Sequence, residues 1–387
     1  MQRRFTIFVI GLVILCLGLS AVSAMLNARR ARSSTTVDRL SLAEKARASE
    51  VFHLRQTLGD AVWPGLAQAN IPLILYNESY AFLIGLSDPE PGWVKVPQNI
   101  ARGGVWEPVP GESIVGQPYY RLRLPAGVTP EAFTVKVGDE WVASLATLEW
   151  LQIGLANQIE ADLPAPVDAV FPYGLATRWL VPGAAGHIAT ITHEAFHAFQ
   201  GQEVPQRLTA AELITAAAEA YPVDDQAFRD AWQQELDLLA DAVEASSDAE
   251  TASLAREFLD SRAARRQQMD VELIEYERQR EWLEGLAKYV ELAIWQAAAT
   301  TPDYEPADAL QDDPEFDGYD GFDERWNQEV DQIRRMAGND GDGRFYYSGW
   351  AQAVILDRLM PGWKTEALAD GVFLEGLLQT ALARTGE

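Results

Sequence analysis

The stretch AGHIATITHEAFHAFQGQ, residues 185–202, decides how this chain is read. Ile188, Ile191, Ala195, Ala198 and Phe199 recur at three- and four-residue spacing, the period of one helical face. The spacing predicts a helix from about Ala185 to Gln202. Within it His193 and His197 stand four apart, so their imidazoles project together, about half a turn from the apolar face. Two imidazoles one turn apart can bind one zinc ion, and Glu194 projects beside them, where it can hold a metal-bound water without being a ligand. The chain has four histidines, and this H-E-x-x-H uses two of them. A pair of surface histidines on an amphipathic helix is the ordinary alternative. His187 reads as an N-terminal helix residue without a chemical role, and His53 as ordinary packing.

Upstream, Pro and Gly punctuate the short apolar runs IPLILYN, YAFLIGL, YYRLRL and AFTVKV between Ile71 and Ser144. Such runs, bounded by turn residues, are strand signals, and Val135 to Trp141 reads as a strand entering a hairpin turn. Beyond Ser144 the period becomes helical: Leu145 to Ile159, Thr209 to Ala220, Asp225 to Ala245, Ala249 to Ala298, Gln352 to Leu359 and Leu374 to Arg384. The expected fold class is α+β, with a β-rich N-terminal subdomain over residues 61–150 and a mostly helical region over 151–387. Residues 27–60 read as a polar tether that turns helical from about Ser41. The acidic stretch 303–328 lacks the regular oxygen spacing of a calcium loop and reads as a solvated loop.

The chain carries 57 acidic side chains against 31 Lys plus Arg, a net charge of -26. Such a surface repels phosphates, which argues against nucleic acid as a partner and against anionic membrane surfaces as docking sites for the main body. The single cysteine, Cys16, rules out an internal disulfide framework and a site built on several thiolates. It lies in a charge-free run from Phe5 to Leu26 that follows Arg3 and Arg4. This run over residues 1–26 is a signal peptide, with a cleavage point after Ala24, or a retained membrane anchor. Either way the body is expected outside the cytoplasm, touching a membrane only through this segment. Oligomeric state leaves no signature in the sequence.

A catalytic zinc takes three protein ligands and a water. No third histidine follows His197 closely, so a carboxylate is needed. In Trp282-Leu283-Glu284-Gly285-Leu286-Ala287-Lys288-Tyr289-Val290-Glu291, Glu284 precedes a glycine in mid-helix. Glycine there costs about 1 kcal/mol relative to alanine, and close approach of another helix is a reason to keep it. Spacing alone equally allows Glu284 to be a surface partner of Lys288. Glu281 or Glu291 is expected either to hydrogen-bond a ligating histidine or to be a solvated surface charge.

His193-Glu194-x-x-His197 followed by W-L-E-G-L-A-K-Y-V-E resembles the two signatures of the gluzincin metallopeptidases. The second block is similar to the W-L-N-E-G-F-A-x-Y motif of the aminopeptidase-like branch, and Tyr346-Tyr347-Ser348-Gly349-Trp350-Ala351 resembles that family's Y-x-K-G-A block, in the same order. The resemblance implies a zincin-like catalytic region and one Zn2+ per chain, held by His193, His197 and Glu284. It further implies Glu194 as general base, Tyr346 as the oxyanion partner with Tyr347 as the neighbouring candidate, and a peptide or protein as substrate. Leu283 stands where that branch has Asn, Ser348 where it has Lys, and the G-x-M-E-N motif is absent upstream, which marks a divergent member. The link from His197 to Glu284 is far longer than usual there and helical, so it must loop out and return Glu284 to the zinc. A catalytically silent binding or scaffold protein on the same fold is one alternative, against which the intact Glu194 argues. A metal hydrolase of non-peptide amides or esters is the other.

Overall fold

In the strands, side chains alternate as the pleat requires. Leu73, Leu75, Phe82 and Ile84 face one side of the sheet, and Ile74, Tyr76, Ala81 and Leu83 the other. Both sides are buried, so IPLILYN and YAFLIGL carry unbroken apolar runs instead of half-polar ones. The computed structural model describes residues 17–125, 135–339 and 341–384. The strands are β1 (Leu73–Tyr76), β2 (Tyr80–Ile84), β3 (Trp93–Lys95), β4 (Ala101–Arg102), β5 (Glu107–Ile114), β6 (Gln117–Arg123), β7 (Val135–Val137) and β8 (Glu140–Ala146). Among the described residues they form one eight-stranded sheet in the order β4-β3-β7-β8-β1-β2-β6-β5. Neighbours are antiparallel except β1 and β8, which run parallel. The fold is α+β, with the β-rich part N-terminal and the helices after it. Residues 132–134 of AFTVKV lie outside the described residues.

Strands β3, β4 and β5 carry no periodic signal. The first two are very short, and β5 reads EPVPGESI, where prolines and a bulge interrupt the ladder. The helix expected from Leu145 starts at Leu148, because β8 continues to Ala146 and the Thr147 side chain caps the helix by accepting from the Trp150 N–H.

Ser41 caps α1 (Leu42–Val62) through the Glu44 N–H. The segment expected to be a tether is thus built into the body: Ala48, Val51, Leu54 and Leu58 are in the main core. The acidic stretch 303–328 is likewise more than a solvated loop. Asp313 is buried and accepts two hydrogen bonds from Arg47, at 2.6 and 2.8 Å. Tyr304 and Tyr319 donate to Glu50 at 2.6 and 2.8 Å. Local composition cannot reveal this, since the compensating charges sit on α1, far away in sequence.

One face of the sheet is covered by α2 (Leu148–Asp162), through Trp150 and Leu151. The other meets α3 (Ala184–Glu203), which runs against β8, α1 and α7 (Leu286–Thr300). Gly201 of α3 lies against the Trp141 ring, where an added Cβ would sit 2.4 Å from it.

The run 249–298 is broken twice. It comprises α5 (Asp248–Arg266), α6 (Val271–Arg280), a π-helical turn at Glu281–Gly285, and then α7. With α4 (Gln226–Glu244) it forms the long excursion between His197 and Glu284. A buried charge cluster fastens its return. Arg262 bonds Glu235 and Glu281, Arg265 bonds Glu235 and Glu277, and Arg266 bonds Glu277 and Glu375. Burial works to raise the carboxyls of Glu277 and Glu375, but the surrounding arginines hold both down at about 2. Their stabilising effect is therefore complete above the ordinary carboxylate value and is lost as pH falls toward 2. Thermal melts of the full chain are expected to lose about 5 °C or more in Tm between pH 5 and pH 3. A Tm that is flat over that range would mean these carboxylates are not bound as described.

The remaining helices include α8 (Phe322–Ile333), α9 (Gly343–Leu359) and α10 (Leu374–Arg384). Residues 17–27 are helical, while residues 5–16 of the N-terminal apolar run, Cys16 included, lie outside the described residues. No described helix is long and apolar enough to cross a membrane.

Candidate metal centre

Helix α3 is buried on nearly every side from Ala184 to Gly201. His193 and His197 thus face an interior, not the polar side of an amphipathic helix, and the surface-pair alternative falls. Facing them is the π-turn that carries Glu284. Its shape has a packing cause. A Cβ on Gly285 would lie 2.4 Å from the Cα of Gly349 on α9, so the two backbones touch there. The close helix approach expected at Gly285 is present, and its partner is the glycine of the third sequence block. Trp282 pins the same turn by donating to the Ala367 carbonyl at 3.0 Å, with the Arg207 guanidinium stacked 4.0 Å from its ring. A π-turn re-aims the side chains after it, and such turns recur at functional sites.

Three donor atoms converge. The Nε2 atoms of His193 and His197 are 3.2 Å apart, and Glu284 Oε2 lies 3.4 Å from the first and 3.2 Å from the second. Four ligands at about 2.0–2.1 Å from a tetrahedral zinc are separated from each other by roughly 3.3 Å. The three observed separations match that edge. Two neutral imidazole nitrogens and one carboxylate oxygen also suit zinc chemically, whereas calcium needs an oxygen cage. Among the described residues, His193, His197 and Glu284 are the group whose donors meet in this way, and the acidic stretch 303–328 contributes none.

Each donor is held from behind. His197 Nδ1 donates to Gln200 Oε1 at 3.0 Å, and Gln200 Nε2 donates to the Trp282 carbonyl at 3.2 Å, so His197 Nε2 presents its lone pair to the site. His193 Nδ1 faces Glu291 Oε2 at 3.2 Å, and Lys288 donates to Glu291 at 2.9 Å. Glu284 Oε1 accepts from Arg280 at 2.5 Å. Arg280 and Lys288 are both buried; Lys288 pairs with Glu291 and Glu329, so the surface pair between Glu284 and Lys288 is not formed.

The carboxylates around the donor atoms favour positive charge there. Burial works to lower His193, yet Glu284 and Glu291 raise it to about 10. Burial works to raise Glu284, yet Arg280 and His197 hold it well below the usual carboxylate range. Glu291 is likewise held low, against burial, by Lys288 and His193. Glu194 behaves differently. Burial raises it, His193 and His197 only partly offset this, and among the described residues no hydrogen bond or ion pair engages its carboxylate. It is buried beside the donor group without belonging to it.

Comparison of the chain with protein-family models, with curated proteins and with solved structures finds no match. The reading of the site therefore stands on its geometry.

The Tyr346 ring stacks on His193, with centroids 5.6 Å apart and planes 9° from parallel, beside Glu284. Tyr347 instead donates to Glu329 at 2.6 Å. Glu291 lies behind a histidine, but Glu281 does not; it accepts from Arg262 and Ser348. His187 Nε2 donates to the Ala146 carbonyl at 2.9 Å and burial lowers its pKa to about 4, so it serves packing. His53 stacks on Tyr304 and bonds the Glu305 carbonyl. The residues that spacing did not single out are Gln200 and Arg280. Each is one turn from a donor residue, at i+3 of His197 and i−4 of Glu284, and that offset is the one local signal they carry.

Proposed function

We propose that the chain is a zinc-dependent hydrolase of peptide bonds, a divergent gluzincin-type metallopeptidase acting outside the cytoplasm. The observation that carries this is the convergence of His193, His197 and Glu284 at the edge lengths of a zinc tetrahedron, with the unengaged carboxyl of Glu194 beside them. When bound there, zinc supplies a water of lowered pKa and a Lewis acid for the scissile carbonyl.

The chain's own residues do the rest. Gln200, Glu291 and Arg280 keep the three ligands aimed. Glu194, with its raised proton affinity, takes the proton of the attacking water and delivers it to the leaving amine. Burial, followed by Glu284, pushes the Tyr346 hydroxyl well above its ordinary pKa, so it stays protonated and can donate to the oxygen where negative charge develops.

Metal analysis of the purified full chain, followed by a broad peptide screen, tests the reading. About one zinc per chain and cleavage of some peptide are expected. Zinc-free protein that gains no activity on adding zinc would overturn it. Glu284→Gln should weaken zinc retention about 10-fold or more during dialysis against a chelator. Full occupancy in that variant would reduce Glu284 to a structural partner of Arg280. Tyr346→Phe should keep the metal and lower kcat with KM nearly unchanged, while Tyr347→Phe, turned toward Glu329, should do much less. Equal losses in the two variants would sink the assignment of Tyr346.

A further inference from the structure

The exposed apolar surface of this protein is concentrated in one place. Ten of the sixteen exposed large apolar side chains among the described residues lie on two segments, 17–26 and 167–180. The second holds the short helices Val167–Val170 and Tyr173–Leu180. Leu175 and Trp179 are one turn apart on the latter and point the same way, and Trp179 is 90 % exposed. A tryptophan so open on a globular surface, with other apolar residues around it, marks a contact surface. The two segments share one groove of about 740 Å³, lined by Leu19, Val22, Leu26, Val170, Leu175 and Arg178.

The exit of the N-terminal run is fastened to this surface. Asn27, immediately after the charge-free run, donates to the carbonyls of Ala169 and Phe171 at 3.1 and 2.8 Å. Arg30 lies over the Tyr173 ring at 4.8 Å and, with Arg32, bonds Glu160. These contacts hold residues 27–32 against the surface formed by residues 160–173.

We infer that the body docks on a phospholipid bilayer through residues 167–180, with Leu175, Trp179 and Leu180 in the boundary between headgroups and acyl chains. This rests on the reading of residues 5–26 as a retained anchor. A bilayer holding that run must come against the surface to which Asn27 is tied. Tryptophan is favoured at that depth, and a short helix with one apolar face lies well in the interfacial plane. The body is acidic, and around the patch exposed Arg29 and Arg178 stand beside Asp168, Asp317 and Glu324, so the docking rests on apolar contact and not on charge. The consequence is positional: Val181 to Gly183 lead directly into α3, so docking sets the metal helix at a fixed height above the membrane.

The test uses the full chain in phosphatidylcholine vesicles carrying shallow doxyl-labelled lipid. An environment-sensitive fluorophore is placed on native Cys16, or on Leu175→Cys, Trp179→Cys or Val271→Cys in a Cys16→Ser background. Cys16 reports the anchor itself, and Val271 is an exposed control on α6. Labels at 16, 175 and 179 are expected to be quenched by the lipid about two-fold or more, and the label at 271 not at all. Quenching at 16 with positions 175 and 179 behaving like 271 overturns the docking while leaving the anchor intact. Shielding of 179 from iodide without lipid quenching would assign the patch to a second copy of the chain instead. No quenching at 16 removes the anchor, and the docking with it.

Discussion

Glu194→Gln is expected to retain its zinc and lose peptide hydrolysis by about two or more powers of ten, the usual scale for a general base. The expectation of retained metal follows from the geometry. The three donor atoms belong to His193, His197 and Glu284, and Glu194 contributes none. The expectation of lost activity follows from its environment. Burial raises the proton affinity of this carboxyl, and no described partner occupies its oxygens. A glutamine in its place keeps the shape and cannot accept the proton. Zinc content and kcat/KM measured on the same preparation separate the two roles. Wild-type cleavage rates in the variant would show that the hydrolytic mechanism is wrong, and loss of the metal would show that Glu194 is a ligand or holds one.

Gly349→Ala should disturb the donor group although Gly349 supplies no donor atom. Its Cβ would lie 2.5 Å from the Glu281 carbonyl oxygen and 2.7 Å from the Cα of Gly285. Both are backbone, so no side chain can turn aside, and α9 must move off the π-turn. Overpacking of this kind costs about 1–3 kcal/mol, and here the displaced turn carries Glu284. The variant should therefore melt lower and hold zinc about 10-fold more weakly, a loss in the range seen when groups that position metal ligands are disturbed. Gly376→Ala on α10 is the matched control. An added Cβ meets nothing within 4 Å there, and alanine is the better helix former, so its stability should stay level or rise slightly. If Gly349→Ala behaves like the control, the contact between α9 and the π-turn does not position Glu284.

The acid lability expected of the buried charge cluster and the contact of Gly285 with Gly349 concern the same structural problem. Glu284 stands 87 positions beyond His197, and the chain between them must leave α3 and come back in register. The return is secured by buried ion pairs from Arg262, Arg265 and Arg266 and by the backbone contact of Gly285 with Gly349. A buried pair does not add much stability against an apolar substitute, but losing one partner strands a charge, so such clusters discriminate strongly between one packing and another.

How much of this was legible locally follows from what local sequence encodes. Helical periodicity placed α3 within a residue of each end, because side-chain direction repeats every 3.6 residues whatever surrounds the helix. The same rule put His193 and His197 together, and the cost of a mid-helix glycine pointed to a close neighbour for Gly285. The α+β order of strands and helices was likewise readable from the change of period near Ser144. What only the tertiary structure decided was which distant groups meet. Spacing left Glu284 equally free to pair with Lys288; the fold buries both, turns Lys288 to Glu291 and Glu329, and brings Glu284 within 3.4 Å of both imidazoles. Tyr346 and Tyr347 are adjacent in sequence, and only the direction of α9 stacks one on His193 and sends the other to Glu329. The break of 249–298 into helices and a π-turn, and the burial of Asp313 against Arg47, have the same origin. Propensity and period act over a few residues, whereas backbone contact and charge compensation act across space, so they become visible only once the chain has closed on itself.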